Sequence, residues 1–172
     1  MDSVLVTGGC GYIGSHTVLS LLEKGLNVYV IDSHDNSSPL VKNKLQDIFK
    51  GQKLNLSNNL YFIKGDIRNT FDLEKVFLKA KQNGQIISGV IHFAGLKAVK
   101  ESIKHPLMYW DNNLVGTITL LKVMKKYDCK TFIFSSSATI YSSSSKRELN
   151  ENALIKPIKI LMEEQKLALK FY

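Results

Sequence analysis

The stretch Thr7-Gly8-Gly9-Cys10-Gly11-Tyr12-Ile13-Gly14 restricts what this chain can become more than any other part of it. It follows directly on a β-branched run, Ser3–Thr7, and it opens a segment, Tyr12–Lys24, in which Ile13, Thr17 and Leu21 recur on one face at helical spacing. A strand that turns this tightly into a helix needs residues without a Cβ, and the start of the helix leaves N–H groups open to an anion. The glycines can be read as G-x-x-G-x-x-G from Gly8 or as G-x-G-x-x-G from Gly9. Either reading makes the turn a cradle for a pyrophosphate.

A second signal stands about 20 residues further on, where Asp32 ends the next apolar run. A carboxylate at that place accepts hydrogen bonds from both hydroxyls of a ribose and repels a 2′-phosphate, which favours NAD over NADP. Strand candidates are Ser3–Thr7, Asn27–Ile31, Leu60–Lys64, Gly89–His92 and Thr131–Ser135. Helical patterns lie between them at Tyr12–Lys24, Pro39–Lys50, Asp72–Gln82 (Leu73, Val76, Phe77 and Ala80) and Met108–Tyr127 (Leu114, Ile118, Leu121 and Met124). The strands are short and nearly continuous in Val, Ile, Leu and Phe, so they are expected to be buried on both faces of a parallel sheet. The class is α/β, a Rossmann-like doubly wound parallel sheet of five strands.

At 172 residues the chain suffices for one packed domain, 1–172, and is too short for two ordinary ones. No apolar run reaches the length of a membrane span, and no basic region precedes the first apolar stretch, so a soluble, untargeted, cytoplasmic protein is expected. Cys10 and Cys129 stand far apart and outside any Cys-x-x-Cys or Cys/His spacing. Two free thiols are expected, with no disulfide framework and no metal site. The net charge is +8, but of the 23 basic residues only Arg68 and Arg147 are arginine. Dispersed lysines form a solvated face, and base readout favours arginine, so no nucleic-acid partner is expected.

Two further segments fall at the carboxyl ends of strands, where such sheets place ligands. His92-Phe93-Ala94-Gly95-Leu96-Lys97 brings small residues that let a ligand approach the backbone, with Lys97 able to meet a phosphate. Ser135-Ser136-Ser137-Ala138-Thr139 puts hydroxyls on the same edge, one of which is expected to reach a substrate oxygen. Beyond them, Ser142–Glu148 reads as a flexible surface loop and Lys159–Tyr172 as a last helix with no stop signal.

Val4–Thr17, Val90–Val99 and Phe134–Tyr141 together closely resemble the UDP-glucose 4-epimerase family of extended short-chain dehydrogenases/reductases. The resemblance implies tightly held NAD, the interconversion of UDP-glucose and UDP-galactose, and a homodimer as an option for the full-length form. It also implies site residues. Tyr12 and Ile13 would join Gly8, Gly11 and Gly14 at the pyrophosphate, and Asp32, Asn36 and Ser37 would contact the adenosine ribose. Asp66 and Ile67 would flank the adenine. Phe93, Ala94, Gly95, Lys97 and Asn112 would line the nicotinamide half, and Ser137 would bind the reacting hydroxyl of the sugar.

In that family a tyrosine takes the 4′-OH proton, and a lysine four residues later lowers its pKa, as a neighbouring cation should. None of the seven tyrosines here has a lysine four positions on. After Pro157-Ile158 the chain goes straight to Lys159, which stands where the lysine of the family would be, and about six residues including the tyrosine are absent. Ser142 replaces the glycine usual after Tyr141. The chain also stops near half the family's length, so the C-terminal substrate subdomain is expected to be absent and the domain truncated. The alternatives are a non-catalytic NAD-binding module, or another NAD-dependent nucleotide-sugar epimerase or dehydratase.

Overall fold

The computed structural model describes residues 3–51 and 59–137. Five parallel strands, β1 (Ser3–Thr7), β2 (Asn27–Asp32), β3 (Leu60–Lys64), β4 (Ile87–His92) and β5 (Thr131–Phe134), form one sheet in the order β3-β2-β1-β4-β5. Each hydrogen-bonded pair is parallel, with Thr7 level with Ile31 on one side and with His92 on the other. The chain winds outward from β1 in one direction and then returns past it, so the order reverses between β1 and β4. That reversal opens a crevice at the carboxyl ends of those two strands.

Alternating side chains on the pleat supply two cores. Leu5, Tyr29, Ile31 and Val90 face one layer with Leu73, Val76, Phe77 and Ala80 of α3 (Thr70–Gln82) and Leu120, Val123 and Met124 of α6 (Gly116–Lys126). Val6, Val28 and Val30 face the other with Val18 and Leu22 of α1 (Tyr12–Glu23) and Leu45 of α2 (Val41–Gly51). The expected doubly wound sheet is therefore present, but burial on both faces holds only at its centre. β1 and β2 are covered almost throughout, whereas β3 is half-buried and β5 alternates between exposed and half-buried, with Ile133 54% exposed. Among the described residues fewer helices lie over the outer strands.

Three local expectations need correction. The fully buried residues of α1 are Gly14, Val18 and Leu22, and of Ile13, Thr17 and Leu21 only Leu21 packs against the core, because Gly14 must press on the backbone of Gly8 and Gly9, which turns Ile13 outward. The single helix expected at Met108–Tyr127 is three pieces: α5 (Pro106–Trp110), a π-turn (Asp111–Val115) and α6. The extra residue of the π-turn rotates the pattern, so Gly116, Thr117, Leu120 and Val123 face inward together with the expected Met124, while Ile118 is exposed. A short helix, α4 (Val99–Lys104), was not expected from the sequence. The loop expected at Ser142–Glu148 and the helix at Lys159–Tyr172 lie outside the described residues.

Both cysteines are free and buried. Among the described residues no helix is long and apolar enough to cross a membrane.

Candidate functional site

Two neighbouring cavities of about 250 and 220 Å³ share Gly8, Gly11, Tyr12 and the segment Phe93–Lys97, and together they form the crevice at the β1/β4 reversal. Its floor is the glycine turn. Gly8 has φ +66°, and a Cβ there would lie 2.7 Å from the Ala94 nitrogen, so the position demands glycine twice over. A Cβ on Gly14 would collide with the Gly8 carbonyl oxygen. Gly11 caps α1, its N–H donating to Gly8 O at 3.0 Å. Gly9 instead packs towards Val30. The strand turn, the open approach and the close helix packing thus fall to Gly8, Gly11 and Gly14, which selects the G-x-x-G-x-x-G reading. The first-turn donors of α1, at Tyr12, Ile13 and Gly14, have no partners further back in the helix and open on the crevice.

At the β2 end, the Asp32 carboxylate is only 7% exposed yet lines the larger cavity. It ties the turn to β2: Cys10 N–H donates to Oδ2 at 2.9 Å, while His34 N–H and the Ser37 hydroxyl donate to Oδ1 at 3.0 and 2.7 Å. Burial, with the Asp32 charge second, pushes the Cys10 thiol up to about 12, so its sulfur stays protonated. Asn36 lines this end of the cavity, and Ser37 reaches it through Asp32.

Asp66 and Ile67 follow β3 along the same wall. The Arg68 guanidinium donates to both Asp66 oxygens through Nε and to Asp111 at 2.9 Å through Nη1, joining the β3 loop to the π-turn. Hydrogen bonding from Arg68 holds the Asp66 carboxyl below the usual carboxylate range.

On the other side, the segment after β4 is held by a side chain that the sequence reading did not single out. Asn113, placed inward by the π-turn, accepts from Leu96 N–H at 2.8 Å and donates to Leu96 O at 3.0 Å, clasping that peptide on both sides. Asn112 donates to Asn113 Oδ1 at 3.0 Å while lining the cavity, next to Phe93, Ala94, Gly95 and Lys97. Ser135 and Ser136 line the smaller cavity beyond β5, with Ser137 next in the chain. Lys159 lies outside the described residues.

Beneath this loop His92 is 1% exposed and forms a chain of hydrogen bonds whose directions are determined. Thr117 donates its one hydroxyl proton to Asn113 O at 2.6 Å, so it must accept from His92 Nε2–H at 2.9 Å. His92 Nδ1 then accepts from the Thr7 hydroxyl at 2.6 Å, and Thr7 accepts from Ala94 N–H. The imidazole is therefore the neutral Nε2–H tautomer, and burial lowers its pKa from 6.5 to about 4. Between those values only the unfolded chain takes up the proton. Stability is accordingly expected to be level above about pH 6.5 and to fall as pH drops towards about 4, by up to about 3 kcal/mol. Urea denaturation from pH 4 to 8 measures this, and His92→Gln should flatten the slope; a wild-type slope equal to that of the variant would contradict it.

The sequence expectations thus converge. All the expected cofactor residues line the crevice except Ser37, which is one hydrogen bond from it. Those missed are Asn113, Thr117 and the inward role of His92. A run of two asparagines before Gly116-Thr117 was the available signal, hidden because a π-turn breaks helical periodicity.

The model of the GDP-mannose 4,6 dehydratase family matches residues 5–159. A bifunctional UDP-glucose 4-epimerase and UDP-xylose 4-epimerase of Pisum sativum is 52% identical over 145 residues, covering 84% of this chain and 39% of the relative. UDP-glucose 4-epimerase 2 of Arabidopsis thaliana is 54% identical over 139 residues, 81% of this chain and 37% of the relative. The crystal structure of UDP-glucose 4-epimerase from Bifidobacterium longum in complex with NAD+ and UDP matches with a TM-score of 0.85 and 39% identity, over 98% of this chain and 47% of that one. The chain spans about two fifths of the length of the curated relatives it matches. A crevice floored by Gly8, Gly11 and Gly14 and walled by Asp32 and Asn112 is thus found in a chain that belongs to the GDP-mannose 4,6 dehydratase family, among relatives that are UDP-glucose 4-epimerases.

Proposed function

We propose that this chain is the NAD-binding part of a UDP-glucose 4-epimerase, an enzyme type that interconverts UDP-glucose and UDP-galactose, and that the chain as it stands is inactive alone. The observation that carries the cofactor is the pairing of a cradle a Cβ would fill, at Gly8 and Gly14, with the buried Asp32 carboxylate at the other end of one crevice. Bound NAD would supply a hydride acceptor. The protein's own groups do the rest. Gly8, Gly11, Tyr12, Ile13 and Gly14 hold the pyrophosphate on the start of α1, and Asp32, Asn36 and Ser37 hold the adenosine ribose. Asp66 and Ile67 flank the adenine, while Phe93, Ala94, Gly95, Lys97 and Asn112 line the nicotinamide half. Ser137 binds the sugar hydroxyl and Lys159 stands at the position of the family's lysine. Identity near 50% to UDP-glucose 4-epimerases supports the substrate class. The protein is soluble and cytoplasmic in this reading, with a homodimer as an option for its full-length form.

A second reading, a non-catalytic NAD-binding module, is favoured by one observation: no tyrosine of the chain has a lysine four residues later.

Calorimetric titration tests the cofactor. NAD should bind well ahead of NADP, and Asp32→Asn should weaken NAD by about tenfold, since a hydrogen bond to a charged group contributes about 1.5–3 kcal/mol, while narrowing the gap to NADP. Equal affinities for the two dinucleotides in the parent chain would refute the ribose role of Asp32.

A further inference from the structure

Cys10 lies in the turn after β1, and Asp32 and His34 lie at the end of β2, and the fold brings their ligand atoms together. The Cys10 sulfur, an Asp32 oxygen and a ring nitrogen of His34 are all within 4.8 Å of one another, the one such trio among the described residues. The spacing along the chain gave no hint of this, because the three come from neighbouring strands and not from one local motif. Around a tetrahedral zinc ion, with bonds of about 2.0–2.3 Å, neighbouring ligand atoms stand roughly 3.3–3.6 Å apart, so small side-chain rotations close the gap.

The backbone of His34 points the same way. Its φ of +65° is a left-handed conformation, uncommon for residues other than glycine although His and Asn enter it more readily than most. Here the His34 N–H is bound to Asp32 Oδ1 and its Nδ1 lies 3.2 Å from the Ser37 hydroxyl, which turns the imidazole back to within 3.8 Å of the Asp32 carboxylate. A thiol, an imidazole and a carboxylate suit a borderline-soft ion, whereas Mg²⁺ and Ca²⁺ need sites built of oxygen.

We propose that Cys10, Asp32 and His34 form a three-ligand site for a thiophilic divalent cation of the zinc class, and that its occupation excludes the dinucleotide. The exclusion rests on the cofactor reading above, because Asp32 is common to both. As the metal binds, the Cys10 S–H bond breaks, its proton goes to solvent and its electron pair forms the metal–sulfur bond, with water in the fourth position and no change of oxidation state.

The test is calorimetry of ZnCl₂ into the whole chain and into Cys10→Ser and His34→Asn. Serine keeps the main-chain N–H that serves Asp32, and asparagine tolerates the left-handed backbone. Melting curves check that both variants fold, and Co²⁺ in place of zinc adds a sulfur-to-metal charge-transfer band that Cys10→Ser should lack. One zinc per chain is expected, at least about tenfold weaker in either variant, together with an apparent Kd for NAD that rises linearly with free zinc in the parent but not in Cys10→Ser. MgCl₂ should leave the NAD titration unchanged. Equal zinc binding by all three proteins overturns the site, and zinc held at Cys10 with unaltered NAD affinity overturns the exclusion. If the metal-free chain does not bind NAD at all, the cofactor reading and the exclusion built on it fall, and the zinc and cobalt titrations still decide the site.

Discussion

Gly8→Ala is expected to destabilise the fold by about 2–5 kcal/mol and to remove measurable NAD binding. Two independent costs meet at this atom. A left-handed backbone costs a residue with a Cβ about 1–2 kcal/mol, and φ here is +66°. The added methyl would also stand 2.7 and 2.8 Å from the nitrogen and Cα of Ala94, which are backbone atoms with no rotamer to escape into. Overpacking of this kind adds about 1–3 kcal/mol. Relief requires that the turn after β1 and the segment after β4 move apart, and those two segments are the floor and one wall of the crevice. Urea denaturation gives the stability and calorimetry the binding. Gly25→Ala is the control, since Gly25 has φ +78° but nothing near its missing Cβ, so it should lose only the backbone share and keep its affinity. Equal losses in both variants would show that the close approach of Ala94 contributes nothing.

The parts of this molecule that were legible in the sequence are those whose determinants are local. Val4–Thr7 and Val28–Asp32 are β-branched runs with turns at their ends, and both became central strands with their boundaries nearly as read. Asp32 and the glycines could be paired in advance because a strand, a turn and a helix of ordinary length fix their distance. What failed depended on contacts between segments. The fully buried face of α1 was misread by one residue because its register is set by Gly14 against Gly8 and Gly9, not by its most apolar stripe. On α6 Met124 is in the core and Leu121 packs against it as read, but Ile118 is exposed, because the π-turn at Asp111–Val115 adds a residue and turns Asn113 towards Leu96. The chain from Thr7 through His92 to Thr117 could not be seen at all, since 85 and 25 residues separate its links. For the same reason Cys10 looked isolated until β1 and β2 were laid side by side.

The second large effect concerns turnover. Joined to the C-terminal half of a matched epimerase, this chain is expected to leave UDP-galactose unchanged, and the same chimera with Asn-Pro-Tyr-Gly-Arg-Ser inserted before Lys159 is expected to interconvert it with UDP-glucose. Family resemblance asks for a tyrosine four residues ahead of the lysine, and Ile158 runs directly into Lys159. A general base has to stand within hydrogen-bond reach of the proton it takes, and its loss typically lowers a rate by about a hundred- to ten-thousandfold. The nearest substitute in the chain is Tyr141, four residues after Ser137, and the closest lysine beyond it, Lys146, is five positions on and not four, which leaves no cation at the spacing that lowers a tyrosine's pKa. The comparison within one chimera isolates this loss, because NAD and the sugar nucleotide meet the same walls with and without the insertion. Equal NAD affinity in the two forms is the control that the insertion has not rebuilt the crevice. Ordinary turnover without the insertion, surviving Tyr141→Phe, would show that the Ile158–Lys159 junction is no lesion and that the proton is taken by a group other than a tyrosine.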